Sequence, residues 1–571
     1  MRQMRWQPVG FAVAMGMMLG GCAADAVIPD AQLITGATFI TMEDGPAPGA
    51  MLIEDGKITA LGTEDALRVR NPGAVLSDFS GRTIMPGIVD SHAHVRELGL
   101  DALKVDLVGA RSVEAIIARI RQQRPDAQPG DWIIGQGWDE GAFASYDGTD
   151  AVGGYPTTRD LSEAYPDNPI ALESLHGFAA MANDAALMRA GITDTTPDPE
   201  GGTILRSPSG HATGVLLTLA QNLLFDAVPD PSPDQLEAAI IAGLGRLAEA
   251  GVTSVHEAGM QTGDVAAFQA LAEAGRLPIR VFGMLNGNDA ALMEDWFASG
   301  RQDDPDDWLD IGAIKVFYDG SLGSRTAILH APYTDRPEAA RPTARISLPQ
   351  VERLAERARQ TGFQMAVHAI GDAANDHILT SFERRLAPDA NGPVPDHRWR
   401  IEHAQLVRPD FAQRASALRL IASMQPSHAM GDSDWAEDRV GSRRIRRAYA
   451  WRMLQDAGVP IIFNSDLPGE PWEPMQTLHF ATTRTKRDGT PEGGWYPAQA
   501  VDRETALRAM TIDGAHAAFQ DQALGSLAPG KWADFVVLSD NPLTASDIQA
   551  ITVEATYVAG TRMTDQGASS P

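Results

Sequence analysis

Short apolar stretches with strand-like alternation recur along this 571-residue chain, and segments with helical spacing lie between most of them. The first clear stretch is Thr83–Asp90, which runs into Ser91-His92-Ala93-His94. Val252–Glu257, Ile279–Met284 and Ile311–Phe317 follow, then Gln364–His368, Trp399–His403, Leu420–Gln425 and Pro460–Asp466. Intervening pieces such as Leu236–Gly251 and Leu348–Gly362 are rich in Ala, Leu and Arg and end in Gly, the signature of helices with a glycine stop. Strand–helix alternation predicts an α/β fold with a parallel sheet covered by helices. Eight strands are the number that closes a (β/α)8 TIM barrel.

Two regions stand outside this alternation. Between His94 and Val252 the chain is far too long for a loop and has apolar runs of its own, Trp132–Gly137 and Pro169–Leu175. It is read as a large insertion after strand one, about 96–235. The other region is split between the ends. Ala31–Thr41 and Ala50–Leu61 are strand-like, with turn signals at Asp44-Gly45 and Asp55-Gly56, and Lys531–Leu538 and Ile551–Arg562 match them near the other terminus. A small composite β-sandwich built from 22–82 and 520–565 accounts for both, leaving 83–519 to the barrel and its insert.

Residues 1–21 read differently. Arg2 and Arg5 precede the apolar run Val9–Gly21, which falls short of the about 20 residues of a membrane span and suits a secretory signal peptide. It ends in Leu19-Gly20-Gly21-Cys22, which resembles the lipobox of bacterial lipoproteins and makes Cys22 the expected lipid attachment site. A plain signal peptide with an incidental cysteine is the alternative. The expected location is the periplasm or an outer-membrane anchorage, with membrane contact only through the lipid. Cys22 is the single cysteine, so disulfides and thiolate metal sites are excluded. A net charge of −28 argues against nucleic acid as a partner, since that binding needs Lys and Arg to neutralise phosphates.

Catalytic groups of such a barrel sit at the C-terminal ends of its strands. His92 and His94 close strand one two residues apart, so both point the same way. Lys315 lies near the end of strand four, His368 ends strand five, His403 strand six and Asp466 strand eight. All are types that a divalent cation accepts. Individually each has a plain structural reading: a satisfied core histidine, a helix cap at Asp466, or a Lys315 that snorkels outward. Their joint placement at one barrel mouth predicts a metal site.

The motifs that carry these residues resemble the amidohydrolase superfamily, and within it the family 3 or YtcJ-like group that includes N-substituted formamide deformylase. They are MPGIVDSHAH (Met85–His94), GQGWDE (Gly135–Glu140), GVTSVHEAG (Gly251–Gly259), IKVFYDGSLGSRTA (Ile314–Ala327) and VHAIGDAAN (Val367–Asn375). RIEHAQ (Arg400–Gln405), SMQPSHAMGDSDW (Ser423–Trp435) and GSLAPGKWADFVVL (Gly525–Leu538) complete the series. The resemblance implies a divalent metal, zinc in the first place, as one or two ions. It implies His92 and His94 at the more buried ion, His368 and His403 at the second, Lys315 carboxylated and bridging, and Asp466 as ligand and proton shuttle. A mononuclear site with Lys315 outside the ligand set is the alternative. One departure is His176-Gly177-Phe178 where many relatives carry Asp-Gly-His; His176 is left between lining the pocket and a structural role in the insert.

The expected chemistry is hydrolysis of a non-peptide amide-type carbon–nitrogen bond in a small molecule. His428 is expected at the carbonyl oxygen, Arg325 at an anionic substrate group, and Trp138 and Asp139 in the pocket. Each has its structural counterpart: packing for His428, loop capping for Arg325, insert core for Trp138. Ester or lactone hydrolysis on the same site, and a non-catalytic ligand-binding or regulatory lipoprotein, are the competing functions. A homodimer is left open.

Overall fold

The computed structural model describes residues 31–138, 152, 155–174, 179–199, 201–338, 341–387 and 396–563. Its centre is a parallel eight-stranded sheet whose strands neighbour one another in sequence order. They are β1 (Ile88–Ala93), β2 (Val252–Met260), β3 (Arg280–Asn286), β4 (Leu309–Phe317), β5 (Gln364–Ala369), β6 (Arg400–His403), β7 (Ile421–Met424) and β8 (Ile461–Phe463). The sheet curls into a barrel, and β8 returns to β1 at the mouth: the Asp466 N–H donates to the His92 carbonyl at 2.9 Å and the His94 N–H to Leu467 at 3.3 Å. Barrel closure and the predicted ligands therefore share the same backbone. Among the described residues no helix is long and apolar enough to cross a membrane.

The apolar run that the pattern reads as one strand serves two sheets. Thr83–Pro86 pairs antiparallel with Phe535–Leu538, and only after Gly87 does the chain enter the barrel as β1. Gly87 is required there because a Cβ would lie 2.0 Å from the Thr253 hydroxyl. Thr83–Pro86 belongs to a five-stranded sheet with Thr38–Phe39, Phe535–Leu538, Val553–Val558 and Thr561–Met563. A four-stranded sheet of Ala31–Thr35, Ala50–Glu54, Lys57–Gly62 and Val75–Asp78 faces it. Ile34, Met51, Ile53 and Ile58 from one sheet and Ile84, Phe535 and Val537 from the other form a shared core. This is the composite sandwich built from both ends.

Between β1 and β2 the chain forms a fourth, six-stranded sheet from strands lying between Val105–Asp106 and Ala212–Thr218. Both of its faces are buried, one under Ile116, Ile120 and Trp138 and the other under Leu187, Leu216 and Leu224. The segment thus carries its own core, as its length requires.

Two polar contacts secure the end of the barrel opposite the mouth. Arg280 Nε donates to Asp534 Oδ2 at 2.7 Å, joining β3 to the sandwich, with the Trp308 and Trp532 rings against the guanidinium. Asp310 accepts from the Asp304 N–H at 2.6 Å and from Gln520 Nε2 at 2.8 Å. Burial nevertheless pushes the Asp310 carboxyl up to about 6. A carboxyl whose folded pKa exceeds its unfolded value of ~3.9 opposes folding at neutral pH. That opposition fades as pH falls through 6 toward 4, because the folded state then binds the proton first. Asp310→Asn is expected to abolish this component: denaturation should show a variant about 1–2 kcal/mol more stable than wild type at pH 7.5, the difference vanishing near pH 4. A constant difference over that range would exclude Asp310 as its source.

Candidate metal centre

His92 is fully buried inside β1. Its Nδ1 lies 2.6 Å from Glu402 Oε2 and its Nε2 2.7 Å from Lys315 Nζ. A carboxylate only accepts and an amine donates, so the proton sits on Nδ1 and Nε2 offers a lone pair. His94 caps the helix that follows β1, and that helix is held by a second buried carboxylate, Glu257 of β2, which accepts the Val95 N–H at 2.7 Å. A quarter of the His94 side chain is exposed to the mouth.

Asp466 stands three residues beyond β8 in the left-handed region, φ +53°, as does His403 at the end of β6, φ +74°. Non-glycine residues settle there only when the surroundings impose it. The two carboxylate oxygens of Asp466 face different imidazoles. Oδ1 lies 3.4 Å from His92 Nε2 and 3.2 Å from His94 Nε2; Oδ2 lies 3.8 Å from His403 Nδ1 and 3.6 Å from His428 Nε2. His92, His94 and Asp466 bring ligand atoms within 4.8 Å of one another, and so do His403, His428 and Asp466.

The electrostatics suit a cation. Burial holds His92 and His403 below the ordinary imidazole range, and burial with the Lys315 charge takes His368 down to about 3. These rings are neutral, each with a lone pair free to give. Burial raises the Asp466 carboxyl, but His92, His94 and His403 outweigh it and keep the group ionised. Neutral imidazoles around one carboxylate are the donor set that divalent ions such as zinc take. Lys315, fully buried on β4, is lowered to about 8 by burial. An amine so near neutrality can lose its proton, which is the condition for carboxylation.

The predicted residues are not all brought to one point. His368 packs its ring 4.4 Å from that of His403, yet its Nε2 turns toward the Gly320 carbonyl at 3.3 Å. Arg325 is engaged by Asp335, Nη2 to Oδ2 at 2.6 Å, and Arg439 grips the same carboxylate; these are the contacts of a loop clamp. Trp138 is wholly buried in the insert core, with its indole N–H donating to the Leu172 carbonyl at 3.0 Å. Its described contacts are those of packing. His428 sits on Pro426–Gly431, the helix after β7, beside Asp466. Asp139, His176, Cys22 and the segment 1–21 lie outside the described residues.

Sequence reasoning passed over the residues that orient these rings. Glu402 is buried with Arg400 Nε 3.0 Å from its Oε1. Gln425 Oε1 accepts from His403 Nδ1 at 2.8 Å, and Asn464 Oδ1 in turn accepts from Gln425 Nε2 at 2.7 Å. His92 and His403 thus each have their own polar partner, the arrangement that fixes tautomer and tilt at metal sites. The signal was present, since Glu402 and Gln425 lie inside motifs that carry His403 and His428.

The pattern of the amidohydrolase family matches residues 76–563, and that of a bacterial imidazolonepropionase-like composite domain matches 49–74. The chain is 32% identical to Protein LONG AFTER FAR-RED 3 of Arabidopsis thaliana over 94% of this chain and 92% of that one. It is 28% identical to N-substituted formamide deformylase of Arthrobacter pascens over 90% and 94%. Among solved structures it resembles an uncharacterized metal-dependent hydrolase of Pyrococcus horikoshii, with a TM-score of 0.73 and 28% identity over 90% of this chain and 98% of that one.

Proposed function

The chain belongs to the amidohydrolase family, and from that premise we propose that it hydrolyses a non-peptide amide-type carbon–nitrogen bond in a small molecule. The observation that carries this reading is Asp466, whose two oxygens each face a pair of imidazoles at the barrel mouth. The likeness to a formamide deformylase supports the bond type.

A bound divalent cation supplies Lewis acidity, acidifying water by many units and polarising a carbonyl. His92 and His94 would hold it with Asp466, and His403 with His368 would hold a second. Lys315 as a carboxylated anion would join them; as an ammonium it would oppose them. Asp466 takes a proton from the attacking water and gives it to the leaving nitrogen, which leaves poorly as an anion. His428, beside the same carboxylate and partly open to the mouth, donates to the substrate oxygen. Glu402 keeps His92 in the Nδ1–H form throughout.

The test is a panel of N-formyl and N-acyl amines, cyclic amides, carbamates and matched esters, run on the metal-free protein and after adding Zn2+ or Mn2+. Amide cleavage that appears only with metal and is lost in His92→Ala is expected. Cleavage of the esters alone would move the bond, and inactivity across the panel despite stoichiometric metal would sink the hydrolase reading.

A further inference from the structure

Asp319 lies two residues beyond β4, wholly buried, in a motif noted in the sequence for Lys315 rather than for it. Three backbone N–H groups from two separate loops converge on its carboxylate. Ile370 donates to Oδ1 at 3.0 Å, while Gly371 and Ile328 donate to Oδ2 at 3.0 and 2.9 Å. Ile370 and Gly371 follow His368 in the chain, and Ile328 belongs to the long loop after β4. The loops meet backbone to backbone: a Cβ on Gly371 would lie 2.0 Å from the Ile328 carbonyl oxygen. One carboxylate thereby ties the exit of β5 to the exit of β4.

The same carboxylate also meets the His368 ring. His368 Nε2 lies 3.4 Å from Asp319 Oδ1 and 3.3 Å from the Gly320 carbonyl oxygen. Both neighbours are acceptors, so the nitrogen between them carries the proton, and the lone pair of the neutral ring is left on Nδ1. We propose that Asp319 is a positioning residue that fixes His368 as the Nε2–H tautomer and aims Nδ1 at the metal centre. The consequence for catalysis rests on the hydrolase reading above; the consequence for metal binding does not. His368 then serves the centre through Nδ1, while Nε2 serves the scaffold.

The experiment is Zn2+ titration of the metal-free full-length chain, followed by metal analysis, for wild type, Asp319→Asn, His368→Ala and the double variant. Asp319→Asn should weaken the affected zinc site about 10–100-fold, the usual penalty for removing a partner of a ligating histidine. If Asp319 acts through His368, the double variant binds no more weakly than His368→Ala alone. Penalties that multiply, or an unchanged affinity in Asp319→Asn, would overturn the proposal. A crystal structure of the zinc-loaded wild type gives a second reading that needs no variant: ligation through His368 Nδ1 is expected, and ligation through Nε2, or no ligation by His368, refutes it. A wild type that binds zinc but hydrolyses no amide would fail the functional reading and leave this one standing. A wild type that binds no zinc fails both.

Discussion

Asp466→Asn should lower kcat/KM on the cleaved amide by about 10²–10⁴-fold while leaving the fold intact. The range is that of a lost acid–base group, and two facts make it apply. Among the described residues the carboxylate is the one acidic group shared by both imidazole pairs, and the asparagine amide cannot take a proton from water. One oxygen also becomes an NH2, which cannot ligate a cation and would donate to the ring lone pairs that a cation needs. Bound metal should therefore fall too. The backbone role survives, because the residue 466 N–H still reaches the His92 carbonyl, so circular dichroism and Tm should stay close to wild type. Steady-state kinetics with metal analysis decide the matter. A variant retaining a tenth of the activity would remove Asp466 from the proton path.

Glu402→Ala should act on stability as strongly as on the site. Burial raises this carboxyl, but the Arg400 guanidinium and His92 outweigh it and hold it well below the usual carboxylate range. Glu402 and Arg400 are both fully excluded from water. Removing the carboxylate leaves Arg400 as a buried cation without its partner, a loss of about 3–5 kcal/mol. His92 simultaneously loses the acceptor of its Nδ1–H, which should weaken metal binding about 10–100-fold. Glu402→Gln keeps the volume and one acceptor, so its losses should be smaller in both respects. Thermal denaturation without metal separates the stability effect, and zinc titration the other. An alanine variant that melts with the wild type would show that the pair contributes little.

The barrel was legible because its apolar stretches keep a strand period and its ligand types fall at strand ends; both are local properties. What escaped was set by backbone geometry. Strand alternation places neighbours on opposite faces, so Glu402 and His403 could not both be expected at the centre. The left-handed backbone at His403 breaks the alternation and lets one residue support His92 while the next faces Asp466. Asp319 and Gln425 escaped for a related reason: they act on rings contributed by other strands, and such pairings exist only after closure. The break at Gly87 was invisible because one apolar run looks alike whether it feeds one sheet or two. Trp138 shows the converse limit, since an aromatic in a motif packs a core as readily as it lines a pocket.

The handover at Gly87 has a consequence for the order of assembly. The strand that feeds His92 and His94 into the mouth is registered from behind by Phe535–Leu538, some 450 residues later in the chain. During synthesis Thr83–Pro86 has only Thr38–Phe39 to pair with in its sheet until Phe535–Leu538 has emerged. Contacts of such separation form late and slowly, although the entropy of closing so long a loop grows only with the logarithm of its length. The metal-facing histidines are thus made some 440 residues before the strand that braces their own against the sandwich. A chain shortened before residue 535 would contain every candidate ligand and still lack the strand that sets their register.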